Sequence, residues 1–209
     1  MPRHNLTSKP PATKRQLVLA LAKKCGLIRP RDVVALGISG EYLNKLLAEG
    51  ELQRPTRGVY RLPDRPVTER TQLAEVAKRV PKAVVSLLSA LEFHGLTTQL
   101  PHEIWIAIPD GMRTPRSDDP PVRVTRYAAE PYRFGIEKHR VDGIEVKVYS
   151  AAKTVADCFK FRGQIGLDVA LEALRDCRRQ RKATADQLWD AARVCRMTNV
   201  MRPYLEAIL

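Results

Sequence analysis

IRPRDVVALGISGEYLNKLLAEGELQRPTRGVYRL, residues 28–62, decides how this chain is read. The string predicts a short helix over Arg31 to Leu36, a tight turn at Gly37, a second helix after Ser39, and a small β-hairpin. Pro30 suits the first turn of the first helix, where its missing N–H would find no partner anyway. Ser39 is a good cap, because its hydroxyl can accept an orphan N–H of the second helix. Leu43, Leu46 and Leu47 are spaced to bury one face of that helix, and Gly50 stops it. Leu52 to Arg54 and Gly58 to Leu62 alternate around Pro-Thr-Arg-Gly, which signals a hairpin.

Helix, turn, helix and basic hairpin make the pattern of a winged helix-turn-helix. A helix held this way fits the major groove, with its exposed side chains within reach of base edges. Those side chains are Ser39, Glu41, Tyr42, Asn44, Lys45 and Ala48. Asn44 is suited to bidentate pairing with adenine, and Lys45 to guanine or phosphate. Arg54, Thr56 and Arg57 lie on the hairpin, where a wing meets the backbone or minor groove. Glu41 and Glu49 repel phosphate and count against this reading. The alternatives are a plain helical subdomain with a solvated hairpin, and a winged helix used to dock a protein.

Charge favours a polyanionic partner. The chain of 209 residues has a formal net charge of +13. Residues 1–67 hold 13 Lys and Arg against 5 Asp and Glu, and residues 68–209 hold 23 against 18. The excess is therefore densest where the helix-turn-helix lies. Such a field speeds encounter with DNA and makes affinity fall with salt. A basic surface kept for solubility is the plainer account.

The chain length suits one large or two small domains, and a 44% apolar content supports a core. The division expected is a flexible arm over 1–12, the winged domain over 13–62, a Pro-rich linker over 63–67 and a second domain over 68–209. Arg3, His4 and Lys9 of the arm are candidates for a minor groove, or the arm is an idle tail. No run approaches the ~20 apolar residues of a membrane span, and the amino terminus has no apolar signal region. A cytoplasmic protein without membrane contact is expected. Cys25, Cys158, Cys177 and Cys195 show no short C-x-x-C spacing and read as free thiols rather than metal ligands.

Within the first domain, Thr13 caps a helix over Lys14 to Lys24, ended by Gly26. The second domain opens with an amphipathic helix over Thr68 to Val80. An extended entry then leads into a buried helix closed by Gly95, where His94 reads as serving a local hydrogen bond or the helix dipole. Ile104 to Ile108 and Val122 to Tyr127 read as strands, joined by a polar loop over Gly111 to Pro121. Phe134 to Val141 and Ile144 to Tyr149 flank Asp142-Gly143, a strong hairpin turn. Helices follow over Ala151 to Phe161, Ile165 to Arg181, a segment begun by the capping box of Thr184 and Gln187, and Val200 to Leu209. The fold class is α+β and mainly α, with a small, mostly antiparallel sheet and a helical end. Lys153 and Asp157 have the i, i+4 spacing of a surface ion pair.

One enzymatic reading competes. Pro109-Asp110 followed by Glu145-Val146-Lys147 has the make-up of a metal nuclease, in which two carboxylates hold Mg²⁺ and the lysine orients water. Against it, Glu145 and Lys147 alternate with apolar neighbours on the polar face of a hairpin, and Asp110 lies in a Pro-Asp-Gly turn. No P-loop, G-x-S-x-G or H-E-x-x-H is present. A non-enzymatic chain without a cofactor is expected. A third reading makes the second domain a protein-docking module that uses the helices from Ser150 onward.

Gly26-Leu27-Ile28, Leu36-Gly37-Ile38-Ser39, the run Leu46 to Leu52 and Arg57-Gly58-Val59-Tyr60 resemble the amino-terminal domain of the AbiEi-type antitoxins. These are bacterial transcriptional regulators of type IV toxin–antitoxin systems. Ser89 to Leu96 and Val148 to Phe159 match the same family in kind. The resemblance implies a winged domain that binds inverted repeats in its own promoter and represses the operon. It implies a second domain that counters a nucleotidyltransferase-type toxin without a tight complex. DNA contacts carry over to Ser39, Tyr42, Asn44 and Lys45 on the helix and to Arg54 and Arg57 on the wing. Such a chain acts as a monomer or weak dimer, and it can also be a stand-alone regulator with no toxin.

Overall fold

The structure, a computed structural model, describes residues 12–64, 70–115 and 120–208. Most of the amino-terminal arm, most of the expected linker and part of the loop before Pro120 lie outside these. The chain divides into two compact units, Met1–Val67 and Thr68–Leu209.

In the first unit, α1 (Lys14–Cys25) opens with a full capping box. The Thr13 hydroxyl accepts from the Gln16 N–H, and the Gln16 side chain accepts from the Thr13 N–H. A second helix, α2 (Pro30–Val34), carries Pro30 in its first turn. The third, α3 (Tyr42–Ala48), begins later than Ser39, but the Ser39 hydroxyl still accepts from the Glu41 N–H at 3.3 Å. Gly40 allows α3 to start close to α2. A Cβ added there would stand 2.9 Å from the Pro30 Cβ. Strands β1 (Gln53–Thr56) and β2 (Val59–Arg61) form the hairpin, and Ile28 bridges to Tyr60 beside it. One core joins all of these through Val18, Ala22, Ile28, Val33, Ile38, Leu43, Leu46, Leu52 and Tyr60.

The second unit is a five-stranded sheet with helices on both faces. Its strands are β3 (Val84–Val85), β4 (Ile104–Pro109), β5 (Val122–Tyr127), β6 (Ile136–Val141) and β7 (Ile144–Tyr149), in the order β5-β4-β3-β7-β6. The expected antiparallel pairing holds for β3–β4 and β6–β7 and gives way at β4–β5 and β3–β7, which are parallel. Asp142 and Gly143 both have positive φ between Val141 and Ile144, as a two-residue hairpin turn requires. Central β4 is buried from Ile104 through Ile108, so it reads as a continuous apolar run. Ile104, Ile106 and Ile108 pack with Val76 of α4 (Thr71–Arg79) and with Val80 and Ala83. Trp105 joins the larger helical core.

That core gathers α5 (Leu87–His94), α7 (Ala151–Lys160), α9 (Leu167–Arg179), α10 (Ala185–Val194) and α11 (Thr198–Ile208). Among the described residues two short helices complete the unit, α6 (Ala129–Arg133), in a stretch for which the sequence predicts no element, and α8 (Arg162–Ile165). The single helix expected over Ile165 to Arg181 is broken at Gly166, whose φ of +96 lies outside helical space. Thr184 and Gln187 form their capping box. His94 makes a long-range hydrogen bond instead of the local one expected of it, Nε2 to the Tyr149 carbonyl at 2.7 Å, and burial lowers its pKa.

Helix α7 runs through the middle of the unit and corrects one expectation. Lys153 and Asp157 are fully buried, not a surface pair. The ammonium donates to both carboxylate oxygens at 2.5 Å and lies 4.6 Å and 4.3 Å from the ring centres of Tyr127 and Tyr149. Burial pushes the Cys195 thiol up to about 12, so it stays protonated and donates to Asp157 at 3.3 Å. All four cysteines are free thiols.

Candidate nucleic-acid interface

The interface is built on α3. Leu43 and Leu46 sit three residues apart and are fully buried, and their burial stabilises this helix by about 1.5–3 kcal/mol each. Leu47 is only half-buried. Fixing that inner face turns Asn44, Lys45 and Ala48 outward, and all three are exposed. Ser39 and Glu41, just before the helix, are exposed as well, while Tyr42 is half-buried against the core. The Lys45 side chain is 63% exposed, with its ammonium 3.9 Å from Glu49 and 5.9 Å from the Tyr42 ring centre.

The hairpin turn is tighter than the Pro-Thr-Arg-Gly reading. Thr56 pairs with Val59, so Arg57 and Gly58 alone make the turn, with Gly58 at φ +76. Arg57 is thereby placed at the tip, exposed, with Arg54 exposed on β1. Neither makes an ion pair among the described residues. Thr56 corrects the expectation that it faces a ligand. As a ladder residue paired with core Val59 it is buried, at 5% exposure.

The acidic groups nearby are partly neutralised from within. Arg15 holds Glu51 with contacts of 2.7 Å and 2.8 Å, and Glu51 raises the Arg15 pKa in return, first through that hydrogen bond. Asp32 accepts from the Arg29 N–H at 2.9 Å and pairs with its guanidinium. Glu41 and Glu49 stay exposed at the two ends of α3, so the outward charges there and on the hairpin are Lys45, Arg54 and Arg57 against these two carboxylates.

Tyr60, which the sequence offers only as the last residue of Arg57-Gly58-Val59-Tyr60, ties these parts together. The Tyr60 N–H and carbonyl bond to the carbonyl and N–H of Ile28, each at 2.9 Å. Its hydroxyl donates to Asn44 Oδ1 at 3.1 Å. The partners are 16 residues apart in sequence, and no local signal announces such a contact.

The nuclease constellation is not supported. Strand β3 lies between β4, which ends just before Asp110, and β7, which carries Glu145 and Lys147. Glu145 pairs with Lys138 at 3.3 Å, and the Lys147 ammonium donates to the Pro81 carbonyl at 3.1 Å. Among the described residues, no three His, Cys, Asp or Glu are grouped to hold a metal ion. No helix among them is long and apolar enough to cross a membrane.

Known proteins bear on each unit differently. No curated protein matches the chain. A solved structure, that of the RV2827C protein from Mycobacterium tuberculosis, is similar in fold, with a TM-score of 0.60 at 14% identity over 85% of this chain and 70% of that one. Residues 15–63, which hold α1 to α3 and the hairpin, match the family described as transcriptional regulator, AbiEi antitoxin. The match is confined to this segment, which holds the helix and hairpin of the candidate interface, and it is to the same family that the sequence resembles.

Proposed function

We propose that the chain is a sequence-specific DNA-binding repressor, the autoregulating antitoxin of a type IV toxin–antitoxin system. The observation that carries this is the outward face of α3, with Asn44 and Lys45 exposed, and a hairpin that presents Arg54 on β1 and Arg57 at its tip. Residues 13–62 act as a winged helix-turn-helix. The α3 face enters the major groove and the hairpin meets the backbone or minor groove. Ser39, Glu41 and Tyr42 line the start of that helix and complete the contact surface, while buried Thr56 supports the turn. The targets are inverted repeats in the chain's own promoter, bound by a monomer or weak dimer in the cytoplasm. The second unit counters a nucleotidyltransferase-type toxin without a tight complex and without enzymatic chemistry of its own.

Binding to the upstream promoter, followed by fluorescence anisotropy, tests this. Lys45→Ala is expected to weaken specific binding by about 1–3 kcal/mol. Arg57→Ala is expected to weaken all duplexes alike and to lower the salt slope by about 1. Promoter binding indifferent to both changes would remove α3 and the hairpin from the interface.

A further inference from the structure

The contact between Tyr60 and Asn44 bears on which base the helix reads, an inference that rests on the DNA-binding reading above. Adenine is read by a carboxamide in bidentate fashion, with Oδ1 accepting from adenine N6–H and Nδ2 donating to N7. That pairing needs both ends of the carboxamide free to face the groove. Here Oδ1 is turned toward β2, where the Tyr60 hydroxyl donates to it at 3.1 Å. The carboxamide is planar, with oxygen and nitrogen diverging from one carbon, so turning Oδ1 inward aims Nδ2 away from the hairpin strand. Tyr60 cannot follow the carboxamide outward. The residue is 5% exposed, and both of its backbone polar groups are bonded to Ile28.

The opposite orientation of the carboxamide is disfavoured by the hydroxyl proton. If Nδ2 faced Tyr60, the hydroxyl could only accept from it, and its proton would lose Asn44 Oδ1, the acceptor it has. We propose that Tyr60 sets the base preference of Asn44. Its hydroxyl holds the carboxamide oxygen toward β2, so residue 44 presents N–H donors to the groove and selects guanine over adenine. Guanine offers two acceptors side by side, O6 and N7, whereas adenine offers N7 alone, next to an N6–H that then finds no acceptor. Tyr60 is thus a positioning residue, acting through Asn44 without touching the base.

Enrichment of full-length protein on a pool of randomised duplexes, with the motif compared across variants, tests this. The wild-type motif should contain a position that Asn44→Ala alone erases, occupied by guanine with about a tenfold preference over adenine. Tyr60→Phe frees the carboxamide to turn, and adenine should then be accepted at that position to within about threefold. The double variant should give the same motif as Asn44→Ala, with a thermal midpoint showing that each protein is folded. A merely structural role for Tyr60 would lower affinity without changing the base chosen. The inference is overturned if the erased position is any base other than guanine, if Asn44→Ala erases nothing, or if Tyr60→Phe leaves the preference intact. Failure of the wild-type protein to enrich any motif would instead sink the DNA-binding reading itself.

Discussion

Two lysine–carboxylate pairs share one spacing and have opposite natures. Lys45 and Glu49 on α3 are i, i+4, stand 3.9 Å apart, and have side chains 63% and 42% exposed. Lys153 and Asp157 on α7 are also i, i+4, but they meet at 2.5 Å with no exposure at all. Spacing decides which side chains can meet; the surroundings decide what the meeting is worth. In water the first pair contributes little, because solvent and salt compete for both ends. Lys45 can therefore exchange Glu49 for a phosphate or a base edge at small cost. The second pair has left water, and each partner depends on the other to remain buried. Tyr127, Tyr149 and Cys195 fill the remaining directions around it. A weak pair suits a binding surface, and a sealed pair suits a scaffold.

The contrast can be broken or sharpened by substitution. The largest effect is expected from Asp157→Ala, which strands a buried ammonium and should cost about 3–5 kcal/mol in urea unfolding. Replacing both partners, Lys153→Met with Asp157→Leu, should recover much of that loss, because neither charge then needs compensation. A loss under 1 kcal/mol for Asp157→Ala would mean that the pair is solvated after all. An intermediate effect is expected from Gly135→Ala. Gly135 has φ +69, and an added Cβ would stand 2.8 Å from the Lys153 Cβ and 2.9 Å from the Ser150 Oγ. Backbone strain and crowding together should lower stability by about 1–3 kcal/mol, seen as a reduced thermal midpoint. The smallest effect on stability belongs to Lys45→Ala, within about 0.5 kcal/mol. The same variant is the one expected to lose promoter affinity. Should it unfold the protein as readily as Asp157→Ala does, the two pairs would not differ in kind.

Local chemistry was legible in the sequence, and long-range placement was not. The capping boxes of Thr13 with Gln16 and Thr184 with Gln187 form within four residues, where the backbone fixes who can reach whom. The Asp142-Gly143 turn and the inward face of α3 are readable for the same reason. Lys153–Asp157 was misjudged because i, i+4 spacing looks the same in solvent and in a core. The clue was available in its neighbours, since Ala151, Ala152, Val155, Ala156, Cys158 and Phe159 surround the pair with apolar residues on every side of the helix. The parallel pairing of β3 with β7 joins segments far apart in sequence, β4 runs parallel to its successor β5, and alternation reveals a strand without revealing its neighbour or its direction. At the interface, the exposure of Asn44, Lys45, Arg54 and Arg57 followed from spacing. The Pro-Thr-Arg-Gly turn expected there is two residues longer than the Arg57-Gly58 turn that forms, so Thr56 lies in the ladder. The role of Tyr60 is not legible, because its partners become neighbours only through the fold.

The bridge from Ile28 to Tyr60 has a further consequence. It anchors the hairpin at its base and leaves the two tip residues outside the ladder. Changes at Arg57 therefore need not disturb the packing below. A lineage could retune how firmly this domain grips its target by editing the fingertip while the knuckle stays fixed.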